Sequence, residues 1–129
     1  MTKLKKVLSG FFGLYILAAL PLAQAQIYNQ LDLTAGQKQA LEANKHQHRA
    51  QMENARQEMR IYKEEMRQAL MAPQLDMPKI NQIHGRIKSL QNQMEDDKLN
   101  SILAVRAILT PEQFLKFVSL MHKHRQEHE

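Results

Sequence analysis

Six histidines, His46, His48, His84, His122, His124 and His128, are the residues best able to do chemistry in this cysteine-free chain of 129 residues. Imidazole nitrogens ligate zinc, nickel or copper, and a methionine thioether beside them favours copper. Residues three or four apart share a helix face, so spacing decides which side chains can act together. His124 and His128 share a face with Met121, and His48 shares one with Met52. His46 and His48, two apart, point away from each other, as do His122 and His124. No Cys-x-x-Cys or His-Glu-x-x-His spacing joins them. The metal candidates are therefore His48, Met52, Met121, His124 and His128, for zinc, copper or nickel. The plainer reading is polar surface that becomes more cationic as pH falls.

Bond-making chemistry has less footing. Ser89, Ser101 and Ser119 fall on helical stretches, and no glycine loop is available to hold an oxyanion or a phosphate. Glu58, Glu64, Glu65, Asp96 and Asp97 read as helix-surface charge. The expectation is a chain that is no enzyme and requires no cofactor.

A second constellation suits binding. Met52, Met59 and Met66 recur along one helical stripe, and Arg56, Arg60, Lys63 and Arg67 run beside it, one residue on and about 100° round the helix. The bland reading makes the methionines core and the arginines its solvated edge, stems packed and heads in water. The functional reading makes these seven residues a client surface. Methionine adapts to varied apolar shapes, and the cations attract acidic or unstructured chains. The acidic surface of a sensor kinase would fit the same stripe.

These residues need long helices to carry them. The pattern from Gln37 to about Met71 alternates steps of four and three through Leu41, Lys45, His48, Met52, Ala55, Met59, Tyr62, Met66 and Ala69, a seam that expects a partner helix. Ala72-Pro73 stops it. A second helix begins near Asp76 and runs through Ile80, Ile83, Ile87, Leu90, Met94, Ile102, Val105 and Leu109, with a stutter at Asp96-Asp97-Lys98. Gly85 lies inside it at a helix penalty of about 1 kcal/mol relative to alanine, tolerable where something packs close. A third helix starts at Pro111 and frays from His122 into a mobile tail. The fold class is all-α: a long helical hairpin with a short C-terminal helix. So little interior suggests that two hairpins pair as a cradle-like antiparallel homodimer. The alternative is a monomeric bundle in which the first helix bends at Lys45–His48 and folds back.

The amino terminus reads as a secretory signal. Lys3, Lys5 and Lys6 precede an apolar run from Val7 to Leu22, and Ala23-Gln24-Ala25 offers a small-x-small cleavage site. Cleavage after Ala25 would leave residues 26–129 as a single helical domain outside the cytoplasm, with no stable membrane insertion. It would also lower the formal charge from +5 to +2, which removes most of the case for a nucleic-acid partner. Without cysteine there is no disulfide frame.

Two short motifs are the most informative feature. In Leu33-Thr34-Ala35-Gly36-Gln37 and in Leu109-Thr110-Pro111-Glu112-Gln113, threonine caps a helix and glutamine reaches back to the cap's own amide, a capping box. Pro111 sits at the first helical position, where its missing N–H is harmless, and Leu109 with Phe114 forms a hydrophobic staple. Both copies, in this order and at this separation, resemble the LTxxQ family of periplasmic stress proteins, the group that contains Spy, CpxP and the zinc-associated ZraP. The likeness covers Leu33 to about Arg125. It implies a hairpin protomer that dimerises into a thin cradle and binds unfolded proteins without ATP. Some members of the family restrain a sensor kinase, and a related branch senses heavy metals. The motif residues Leu33, Thr34, Gln37, Leu109, Thr110, Pro111, Glu112 and Gln113 identify the family; as helix caps they mark no binding site.

Overall fold

A computed structural model describes residues 21–128. The signal reading lies outside them apart from Pro21–Ala25. Four helices follow in order: α1 (Pro21–Asn29), α2 (Ala35–Met71), α3 (Met77–Ile108) and α4 (Pro111–Glu127). No strand occurs among the described residues, and no helix there is long and apolar enough to cross a membrane.

The helix ends follow from local chemistry. After α1, Asp32 takes a φ of 51°, a left-handed conformation that aspartate tolerates better than most residues, and the chain turns into Thr34. The Thr34 hydroxyl accepts from the Gln37 amide at 3.1 Å, and the Thr34 amide donates to Gln37 Oε1 at 3.0 Å. The same pair of bonds joins Thr110 and Gln113 at 3.2 and 3.0 Å. Asp76 caps α3, accepting from the Lys79 amide at 3.2 Å. α2 is unbroken through Lys45–His48, so the hairpin forms and the folded-back bundle does not. α4 stays helical to Glu127, past the His122 at which the sequence suggests fraying. Nothing lies within 4 Å of where a Cβ on Gly85 would sit, so no close packing explains that glycine.

Contacts divide the chain into two compact units. The first, here the clasp unit, joins residues 21–46 with residues 101–128. Its core holds Ile27, Leu31, Leu41, Leu109, Phe117 and Met121, with Tyr28, Leu33, Val105, Ile108, Phe114, Val118 and Leu120 packed around it. Burial in this unit pushes the Tyr28 phenol up to about 12, and the Glu42 carboxylate adds to the rise. Asn44 Nδ2 donates to the Ser101 carbonyl and hydroxyl, both at 3.2 Å. The second, the hairpin unit, is Gln47–Asn100. There Ala55 and Met59 of α2 meet Leu90 of α3, flanked by Tyr62, Ile87 and Met94.

Candidate functional site

Each motif glutamine does more than cap its own helix. Gln37 Nε2 donates to Gln113 Oε1 at 2.8 Å and to the Ile108 carbonyl at 3.2 Å. Gln113 Nε2 donates to the Leu31 carbonyl at 3.1 Å and to Gln37 Oε1 at 3.3 Å. With the capping bonds, each amide makes two donations and two acceptances, its full capacity. Carbonyls left open where α3 and the post-α1 turn end are thereby satisfied. The two motifs interlock as a reciprocal clasp in which both glutamine carboxamides are fully used.

In the hairpin unit the seven client candidates separate. Met52 and Met59 are 7% and 9% exposed and belong to the protein's own interior, so neither can greet a client in this state. Met66 is half-buried, while Arg56, Arg60, Lys63 and Arg67 are exposed. Arg60 pairs with Glu53 at 3.6 Å, and Arg67 Nε donates to Glu64 at 2.8 Å, holding that carboxyl below its usual range. Arg56 and Lys63 enter no ion pair among the described residues. The apolar side chains of this unit that do face water lie elsewhere: Ile61, Leu70, Met71, Leu75, Met77 and Leu99 are 50–70% exposed. Four of them flank the turn between α2 and α3. Sequence reasoning missed them because they fall off the regular seam. Leu70-Met71 and Leu75-Asp76-Met77, apolar residues on both sides of Pro73, were the available signal.

The metal candidates do not converge. Met121 is 3% exposed and spent in the clasp-unit core, and Met52 is likewise interior. Among the described residues no three histidine, aspartate or glutamate side chains are grouped to hold an ion. What the sequence paired correctly is His124 with His128, whose rings stand 4.3 Å apart, edge to face. His124 Nε2 is buried without a hydrogen-bond partner, beside a hollow of about 140 Å³ lined by Gln26, Ile27, Gln30, Leu120, Lys123, His124 and Glu127. Two imidazoles one turn apart suit an exchangeable ion completed by water; a closed structural zinc site needs four protein ligands.

His48 is the other imidazole with a buried ring nitrogen. Its Nδ1 has no partner. Burial pushes its pKa below the ordinary value, with Lys98 and Arg56 acting in the same direction and Asp97 opposing. The seam interruption at Asp96-Asp97-Lys98 is thus a charged patch within reach of His48.

The family model for heavy-metal resistance matches residues 18–116. No curated protein and no solved structure matches the chain.

Proposed function

The chain belongs to the heavy-metal resistance family of LTxxQ-like helical proteins, and from that membership we propose that it is a periplasmic stress protein that binds unfolded or misfolded proteins without ATP. The observation that carries this reading is the apolar turn of the hairpin unit. Single exposed leucines are ordinary on any surface, but Leu70, Met71, Leu75 and Met77 fall within eight positions and all exceed 49% exposure. Exposed Lys63 and Arg67 lie close by in sequence. A non-native chain offers apolar segments and acidic residues together, and it places no demand on nucleotide or catalysis. Binding of this kind tolerates many clients, because methionine repacks easily and cations act at range.

Aggregation of a chemically unfolded model protein, followed by light scattering, tests the reading. Wild type is expected to suppress scattering at near-equimolar amounts without metal or nucleotide. Replacing Leu70, Met71, Leu75 and Met77 by serine is expected to abolish suppression, while changing stability by only about 0.5 kcal/mol per site. Met59→Leu, a volume-conserving core change expected to lower stability by less than about 1.5 kcal/mol, is expected to leave suppression intact. Equal suppression by wild type and the serine variant would sink the turn as client surface.

A second reading, heavy-metal binding, is favoured by His124 and His128. Titration with copper, nickel or zinc is expected to show one weak site per chain. His124→Ala and His128→Ala are each expected to weaken it at least about tenfold, a loss that even outer-sphere partners can cause. Unchanged affinity in both variants would move the metal away from this pair.

A further inference from the structure

We propose that His48 is an acid-sensitive latch on the hairpin unit, whose protonation loosens α2 from α3 and uncovers buried Met52 and the Ala55–Met59–Leu90 cluster as additional client surface. The proposal rests on the client-binding reading above and names its regulation. Met52 lies one turn from His48 on the same face, and Ala55, Met59 and Leu90 continue the buried stripe beyond it. At this head of the stripe the ring is half-buried and Nδ1 meets no acceptor. A proton added there creates a buried N–H and a full positive charge with nothing to receive the hydrogen bond.

The charges around the ring are set by both helices. Arg56 on α2 and Lys98 on α3 oppose a second cation, and only Asp97 on α3 favours it. Lys98 is itself held by Glu95 at 3.0 Å. Asp97 makes no ion pair with His48 within 4 Å, so it offsets the penalty without removing it. The sign follows from proton counting. The open state, with its imidazole near the ordinary value of 6.5, binds more protons than the closed state as pH falls through that value. Acid therefore favours opening. Each unit by which closure lowers the pKa multiplies the open population about tenfold once the pH is below both values. Unlike the apolar turn, which is exposed at any pH, this interior becomes available only on acidification.

Methionine oxidation by dilute hydrogen peroxide, resolved residue by residue in the purified protein by mass spectrometry, reads the latch. Oxidation of a free thioether does not depend on pH in this range, and exposed Met71 and Met77 serve as internal references. Between about pH 7.5 and about pH 5, oxidation of Met52 and Met59 relative to Met71 and Met77 is expected to rise several-fold. His48→Gln, neutral at both pH values, is expected to abolish the rise, and Asp97→Asn, which removes the one favourable charge, to steepen it. A flat ratio in wild type, an equal rise in His48→Gln, or an unchanged slope in Asp97→Asn would overturn the proposal. Aggregation suppression measured in parallel separates the two ideas. A rising oxidation ratio with no suppression at either pH removes the client reading and leaves the latch. Suppression at neutral pH with a flat ratio removes the latch and leaves the client reading.

Discussion

Phe117→Ala is expected to lower the stability of the clasp unit by about 3–5 kcal/mol, the usual range when a buried ring is truncated and the void does not close. Phe117 is 5% exposed in a core shared with Ile27, Leu31, Leu41, Leu109 and Met121, and its ring lies 6.3 Å from that of Phe114. Four segments converge there: α1 and its turn, the start of α2, the end of α3, and α4. No single neighbour can move in without dislodging the others. Urea unfolding followed by far-ultraviolet circular dichroism checks the figure. Leu115→Ala on the same helix provides the contrast. Leu115 is 69% exposed, and its loss should change stability by no more than about 0.5 kcal/mol. Similar losses for both variants would mean that the Phe117 core is not formed.

Gln113→Glu carries the second large effect, and it separates the clasp from the capping box. As a cap the change is harmless, because glutamate serves at this position as well as glutamine does. In the clasp it removes the amino group that donates to the Leu31 carbonyl and to Gln37 Oε1 and turns a carboxylate toward both oxygens. The expected loss is about 2–4 kcal/mol at neutral pH, the sum of two unmet acceptors and a poorly placed charge. The neutral acid is favoured at such a site, so the glutamate introduced by Gln113→Glu should titrate above its usual range. Stability is then present at low pH and lost as pH rises through the raised value. Unfolding at about pH 4 and about pH 7 reads that difference directly. A double-mutant cycle between Gln37→Ala and Gln113→Ala should return a coupling of about 0.5–3 kcal/mol. Zero coupling would reduce the motifs to two independent helix starts.

Local chemistry made the architecture legible. Both capping boxes, Pro111 at the first position of α4, the stop at Ala72-Pro73 and the Asp76 cap depend on neighbours in the chain, and all lie where the sequence puts them. The stripe pattern also identified which side of α2 is apolar. It could not tell whether that side would be covered within one chain, and Met52 and Met59 prove to be interior. Bonds between Gln37 and Gln113 span 76 positions, a pairing that no local pattern encodes. Ile27 and Leu31, four apart and just before the first motif, were a readable sign of the helical turn that joins the core. Their closeness to the signal segment hid it. Asp97 looked like a stutter in a seam, and its electrostatic relation to His48 emerged only once α3 lay against α2. The metal candidates are not brought together as one set because spacing on a helix fixes direction and leaves burial open: Met121 points with His124 and His128 yet is buried in the core.

The clasp has a further consequence for a chain that makes no covalent cross-link. Its amides close a loop containing most of the two long helices, a task that exported proteins commonly give to a disulfide, with the same benefit of holding distant segments together. A disulfide answers to the redox poise of its surroundings, and its thiols are targets for soft metal ions and oxidants. Paired carboxamides are neither reducible nor thiophilic, and they do not titrate at any physiological pH. The staple between Gln37 and Gln113 is thus indifferent to reductant, to thiol-seeking metal ions and to acid.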